Sequence, residues 1–254
     1  MTLSNKIYYI YPFTPGPQDS IELRYSLRSF VKHVKDDYTI IITGDEKPNW
    51  LNINFKNIEF LKVFKIKNKA ATIYNNVLKA IEKFNIEKFI KLSDDNIFLQ
   101  NFECANIDQN PYIHSYMPNK KRPLRSEINQ WQNKLWDTAE FAKSLNLPSI
   151  NYVTHVPQCF YSNKLIECNK VFNISSGEHL FEVAYYNFFH KEIINKKDKL
   201  NDIKWGAWAS KLEYTKLLPN YLFGNQDHKG LYFTLPVIKN LFQKKSKFEK
   251  YYDN

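Results

Sequence analysis

The chain holds 254 residues, 43% of them apolar and 16% aromatic, which is enough to bury a core and excludes a disordered polypeptide. A formal charge of +10 suits an anionic partner, such as a phosphate-bearing ligand, nucleic acid or an acidic membrane face, although the abundance of Lys, Asn and Ile also fits the bias of an AT-rich genome. The separated cysteines Cys104, Cys159 and Cys168 form no CxxC pair, no apolar run is long enough to span a bilayer, and the opening MTLSNKIYYIYPF lacks the layout of a secretory leader, so a cytoplasmic protein without disulfide frame or zinc site is expected.

KIYYIYPF (6–13) is rich in β-formers and predicts a first strand, which TPGPQ ends. DSIELRYSLRSFVKHV (19–34) opens on a capping residue and repeats Leu23, Leu27, Phe30, Val31 and Val34 at helical spacing. YTIIITGD (38–45) and IEFLKVFKI (58–66) predict two further strands. AATIYNNVLKAIEKF (70–84) predicts a helix with Ile73, Val77, Leu78 and Ile81 on one face, and KFIKLS (88–93) a fourth strand. This alternation predicts an α/β fold with a mostly parallel central sheet flanked by helices, and ligands beyond the carboxyl ends of its strands. RSEINQWQNKLWDTAEFAKSL (125–145) and HLFEVAYYNFFHKEII (179–194) predict helices on either side of an extended, Pro-broken INYVTHVPQCFYS (150–162). GNQDHKG (224–230) precedes a basic amphipathic end. With no internal repeat and no linker rich in Gly, Pro or Ser, residues 1–254 are expected to form a single domain.

Asp94-Asp95-Asn96 stands where the fourth apolar run stops. Adjacent carboxylates beyond a buried strand repel one another and lose hydration, and a divalent cation relieves both. Their hard oxygens suit Mg²⁺ or Mn²⁺ shared with a substrate diphosphate; an Asp-rich turn is the plain alternative. KIKNKAATIYNN (65–76) places Lys67, Asn68, Lys69 and Asn76 before and within a helix. Residues 61–91 carry eight lysines against two glutamates. A helix N-terminus among lysines attracts phosphate, with Lys69 and Thr72 the best placed, whereas a solvated basic face accounts for most of the lysines. In SSGEHLFEVAYYN (175–187), Ser175 or Ser176 can cap a helix with Glu178 in its first turn. Glu178 and Glu182 are also the candidates for a base that takes the proton of an acceptor hydroxyl. No GxGxxG, GxxxxGK[ST] or GxSxG motif is present.

Taken together, a βαβαβ opening, an Asp after the second strand and a D-x-D-like element after KFIKL resemble a nucleotide-sugar glycosyltransferase of the GT-A fold over about residues 6–100. The resemblance implies that residues 1–100 form the nucleotide-sugar-binding half and 101–254 the acceptor half. It implies a metal at Asp94, Asp95 and Asn96, the last departing from the acidic residue usual there, and Asp45 on the base or ribose. A late histidine, His228, would complete the metal shell and Lys229 would meet the leaving diphosphate, in a segment that also holds Asp227 and otherwise reads as a polar turn. His155 falls on a segment that such families use for donor or acceptor contacts. Separately, ELRYSLRSF with IIITGDEKPNWL is similar, over residues 22–51, to the opening of bacterial capsule-type sugar and sugar-phosphate transferases of the Stealth group. The expected activity is metal-dependent transfer of a sugar from a nucleoside-diphosphate sugar, a UDP-sugar above all, to a glycan or lipid-linked acceptor. The alternatives are a phage-type transferase with DNA as acceptor, and a non-enzymatic binder of nucleic acid or membrane. The basic end 239–250, with Phe242 and Phe248 among lysines, is the candidate for peripheral membrane contact.

Overall fold

β1, Ile7–Pro12, lies at the centre of a five-stranded sheet. Tyr9 and Tyr11 face one core and Ile10 the other, the period-two pattern of a strand covered on both sides. The computed structural model describes residues 6–107, 112–117, 120–189, 204–207, 221–226 and 228–250. Beyond Gly16 the chain enters α1, Pro17–His33, but Gln18, Asp19 and Ser20 have left-handed backbone with φ of 51, 51 and 60°, so regular helix begins at Ile21. Such backbone costs a non-glycine residue roughly 1 kcal/mol. Bonds from elsewhere hold it: Trp50 Nε1 donates to the Asp19 carbonyl at 2.7 Å. Asp19 is therefore part of a strained turn and not the cap of a regular helix.

β2, Tyr38–Gly44, and β3, Ile58–Lys62, extend the sheet in parallel on one side of β1. α1 lays Leu23, Leu27 and Phe30 against Tyr9, Tyr11, Ile40 and Ile42. α2, Lys69–Phe84, packs Tyr74, Val77, Ala80 and Ile81 against Ile10 and Ile41 in the other core. It delivers the chain to β4, Lys88–Lys91, which is parallel to β1 on its far side. The strand order β3-β2-β1-β4 means that the winding reverses between β1 and β4. At such a reversal the connections leave the sheet in opposite directions and open a crevice beyond the carboxyl ends of the strands.

β5, Ile97–Phe98, follows the Asp94-Asp95-Asn96 turn directly, and β6, Ser115–Tyr116, comes next. α3, Gln130–Ser144, begins with a reciprocal capping box between Asn129 and Gln132. β7, Ile150–Asn151, pairs with β6, and β8, Gln158–Tyr161, joins β4 antiparallel as the fifth strand, with Phe89 and Phe160 stacked at 5.4 Å. α4, Ser162–Phe172, is a helix where the sequence pattern predicts none. α5, Phe181–Phe189, is almost wholly buried and is tied to β7 by Asn187, which accepts from the Ile150 N–H at 2.7 Å and donates to its carbonyl at 2.8 Å. The helix expected over 179–194 thus begins at Phe181, and residues 190–194 lie outside the described ones. β9, Lys204–Ala207, and β10, Phe223–Gln226, form a second, three-stranded sheet with β5 in the order β5-β10-β9. α6, His228–Leu241, then returns to pack on α1.

The end of the chain is not the exposed amphipathic stretch that its lysines suggest. Phe242 is 4% and Phe248 0% exposed. Glu249 is buried and receives Arg28 Nε at 2.8 Å and Nη2 at 2.7 Å. The Asn52 N–H donates to the Phe248 carbonyl at 2.8 Å and the Lys250 N–H to that of Trp50 at 2.8 Å. Phe242 and Phe248 complete the core, so these two rings are not presented to a bilayer.

Candidate functional site

The crevice at the β1–β4 reversal is bounded by Phe13–Gly16 after β1, Asp45 after β2 and the Ser93–Asn96 turn after β4. Asp45 stands in the bend that leaves β2, half-buried, as its position in the sequence implies. Gly44 must be small here: a Cβ would come within 2.7 Å of the Phe13 carbonyl oxygen.

Asn96 frames the turn. It is 1% exposed. Its Oδ1 accepts the Ser93 N–H at 2.9 Å, its Nδ2 donates to the His155 carbonyl at 3.0 Å, and its own carbonyl accepts Ser26 Oγ at 2.5 Å. Next along, the Phe98 N–H donates to Ser29 Oγ at 3.0 Å. The LRYSLRS stretch of α1 thereby acquires a physical role. Leu23 and Leu27 anchor the helix in the core, Ser26 and Ser29 hold the carboxylate turn, Arg28 grips Glu249, and Arg24 lies 4.9 Å over the Trp50 ring.

With the turn fixed, Asp94 and Asp95 are held side by side. The Asp95 side chain is 14% exposed. Its Oδ2 lies 3.5 Å from Asn225 Nδ2 and 4.0 Å from His155 Nδ1. Its Oδ1 is buried with no hydrogen-bond partner among the described residues, and the same holds for Asn225 Oδ1 and Thr154 Oγ1. Burial first, then the Asp94 charge, push the Asp95 pKa up to about 7, against the opposing pull of Asn225 and Lys204. Lys204, the first residue of β9, donates to the Thr154 carbonyl at 2.6 Å, and burial brings its pKa down to about 8 although Asp95 favours its charge. His155 has left-handed backbone with φ 51°. Burial, then Lys204, Lys91, His114 and Lys69, hold its imidazole well below the ordinary range, so it is neutral at pH 7. Lys204 of β9 thus faces Asp95, and Lys91 of β4 and Lys69 of α2 join it in acting on His155.

The other residues singled out in the sequence fall as follows. Lys69 opens α2, exposed, with its Nζ 5.5 Å over the Trp131 ring. The α2 N-terminus is already satisfied: Asn68 Oδ1 accepts from the Ala70 and Ala71 N–H groups at 3.0 and 3.3 Å, and the Asn68 carbonyl takes the Thr72 N–H at 2.9 Å. Thr72 is buried, its Oγ1 donating to the Ile66 and Asn68 carbonyls and accepting the Ile66 N–H. Asn76 Nδ2 donates to the Thr43 carbonyl at 3.2 Å. Glu178 is exposed and precedes α5 instead of lying in its first turn; its N–H donates to Ser176 Oγ at 3.2 Å. Glu182 does lie in that turn, buried, and its Oε1 receives Lys91 Nζ at 2.6 Å. His228 and Lys229 open α6, their side chains outside the described ones, and Asp227 lies outside the described residues altogether.

Lys91, Thr154, Lys204 and Asn225 were not singled out by the sequence. Asn225 sits in the quoted GNQDHKG segment, and Lys91 three residues before Asp94, but no local pattern marks them. Among the described residues no group of three or more His, Cys, Asp or Glu side chains is arranged to hold a metal ion, so a cation here would draw on amide, hydroxyl or ligand oxygens as well. No helix among them is long and apolar enough to cross a membrane. No protein-family model matches the chain, and no curated protein matches it in sequence.

Proposed function

We propose that this chain is a glycosyltransferase that binds a nucleoside-diphosphate sugar at the β1–β4 reversal and passes its sugar to a glycan or lipid-linked acceptor. The observation that carries the reading is Asp95 beside Asp94 after β4, with its Oδ1 buried and without a partner among the described residues and with Lys204 acting on it. A buried carboxylate whose pKa is driven up to about 7 and whose Oδ1 lacks a partner among the described residues fits a divalent cation, which replaces lost hydration and separates the two charges. Asn225 Oδ1 and Thr154 Oγ1, buried and likewise without a partner among the described residues, are hard oxygens of the same kind. Asp94 and Asp95 would hold Mg²⁺ or Mn²⁺, with Asn225 as an additional donor; His228 remains the candidate from the sequence for completing the shell. Such an ion supplies charge neutralisation for the leaving diphosphate.

The chain's own groups do the remaining work. Lys69 and Lys204 would raise the positive potential of the crevice and draw in a diphosphate, whereas Lys91 is held by Glu182. Asp45, at the end of β2, would meet the ribose or base, as the resemblance implies. Lys204, tethered to the Thr154 carbonyl, is a fixed cation near the carboxylate pair and needs no reorganisation when charge develops on a leaving group. Of the two glutamates, Glu178 is the one whose carboxylate is exposed and open to an acceptor hydroxyl, whereas Glu182 is the counterion of Lys91. The test is a thermal-shift screen of nucleoside-diphosphate sugars with and without Mn²⁺. A ligand of the native state raises the melting temperature by mass action. The expected result is a rise with one nucleotide class that Mn²⁺ enlarges and that Asp95→Asn abolishes; no rise with any nucleotide sugar would remove the reading.

A further inference from the structure

A second surface lies on the same edge of the sheet. β3 is an outer strand, and between its end and α2 runs an open groove of about 590 Å³ lined by Leu61, Val63, Phe64 and Ile66, with Lys79 and Lys83 from α2. Phe64 is 73% and Ile66 41% exposed. They are not loose. The Val63 N–H donates to the Gly44 carbonyl at 2.8 Å, and Thr72 Oγ1 bonds both the N–H and the carbonyl of Ile66. Thr72, a phosphate candidate in the sequence, is thus a clasp that presents this segment outward. Exposed lysines surround the two apolar side chains: Lys62, Lys65 and Lys67 on the segment, and Lys79 and Lys83 on α2. The one acidic residue lining the groove, Glu82, is bonded to Lys79 at 2.7 Å.

We propose that the Lys62–Lys67 segment is a docking surface for an anionic lipid bilayer, with Phe64 and Ile66 entering the headgroup region and the lysines meeting lipid phosphates. An aromatic and an aliphatic side chain held outward within a ring of like charge match a surface that is apolar beneath and anionic above. An acidic protein partner would meet the same lysines, but Phe64 stands proud of the surface instead of lining a closed pocket. The position has a consequence for function. The segment continues from the β3 end that pairs with Gly44, next to Asp45, so docking here would bring the carboxyl end of β2 near the membrane. The inference draws on the lipid-linked acceptor of the proposed function. Vesicle binding is nevertheless read without donor or acceptor, so its failure leaves the transferase reading standing.

The experiment is co-sedimentation of the full chain with vesicles of phosphatidylcholine mixed with phosphatidylglycerol, against vesicles of phosphatidylcholine alone. The full chain should pellet with the mixed vesicles only, and added salt should release it. The double change Phe64→Ser with Ile66→Ser should weaken binding about tenfold. Lys65→Glu with Lys67→Glu should weaken it more than that, since each lysine contributes roughly fivefold. All four side chains are exposed, so both variants should melt like the parent. Lys244→Glu with Lys245→Glu, in the tail, should bind like the parent. Absence of pelleting, pelleting that survives both changes in the segment, or loss only in the tail variant would each overturn the proposal. So would a dimer that Phe64→Ser dissolves in a chain that ignores vesicles, which would make this face a self-association surface.

Discussion

Two places on the carboxyl edge of the sheet stand out in sequence, one as a phosphate site and one as a cation site, and the fold treats them in opposite ways. At the α2 N-terminus, lysines precede a helix start, yet Asn68 takes the N–H groups of Ala70, Ala71 and Thr72, and Thr72 Oγ1 ties the preceding Ile66. At the end of β4, the backbone is just as tightly fixed by Asn96, Ser26 and Ser29, but the side chains it presents are left incomplete: Asp95 Oδ1 and Asn225 Oδ1 are buried without partners among the described residues. Buried polar atoms are normally paired, and an exception calls for a cause. The difference is that a frame can be finished while its contents are not. Residue types show where a phosphate or cation could go; the hydrogen-bond accounting shows which of those places is still open to one.

The largest expected effect follows directly. Asp94→Asn and Asp95→Asn should each lower transfer by at least about 10³-fold in kcat/KM, because the neutralisation of a leaving diphosphate is lost, while the fold persists. Asn68→Ala at the closed site should leave kcat/KM within about twofold and cost about 1 kcal/mol of stability as its cap is lost. Measuring activity and melting temperature for the same three proteins tests the contrast. If Asn68→Ala abolished transfer and the aspartate changes did not, the assignments of the two places would have to be exchanged.

Asn96 separates frame from contents within the turn itself. Asn96→Asp restores the acidic third position of a D-x-D element. Were Asn96 a ligand, the change would tighten Mn²⁺ binding. Since its Nδ2 is the donor to the His155 carbonyl, the carboxylate instead sets oxygen against oxygen in a buried place. A loss of roughly 2–3 kcal/mol is expected, with no gain in Mn²⁺ affinity by calorimetry. Tighter Mn²⁺ binding by an equally stable variant would return Asn96 to the metal.

Much of the fold was legible. β1 to β4 with α1 and α2 announce themselves as apolar runs of strand and helix period between turn residues, and parallel strands buried on both faces leave little else to read. α4 was missed because its buried positions, Leu165, Cys168 and Phe172, are sparse among polar neighbours. β5, β9 and β10 are too short to carry a period, and they pair across long stretches of chain. The site follows the same rule. Asp94 and Asp95 share one turn and could be found locally, whereas Asn225 reaches Asp95 across 130 residues and Lys204 reaches Thr154 across 50. The basic tail was misjudged for a related reason: amphipathic spacing at Phe242 and Phe248 is the same whether the apolar face meets lipid or, as here, the remainder of the core.

The smallest effect is the most specific to the open site. Asp95 titrates near pH 7 in the folded chain against an ordinary 3.8, so between about pH 4 and pH 7 the folded chain keeps a proton that the unfolded chain releases. Stability must therefore fall as pH rises through that interval and level off above it. Asp95→Asn removes the titration and keeps the shape. Near pH 3, where the carboxyl is protonated in the folded chain and largely so in the unfolded one, variant and parent should melt together. By pH 8 the variant should be the more stable, with the higher melting temperature. Mn²⁺ should then reverse the order at pH 8, stabilising the parent and not the variant, because the cation supplies what the desolvated carboxylate lacks. Coincident melting curves at both pH values would show that Asp95 is hydrated after all, and the contrast between the closed and the open place would lose its physical basis.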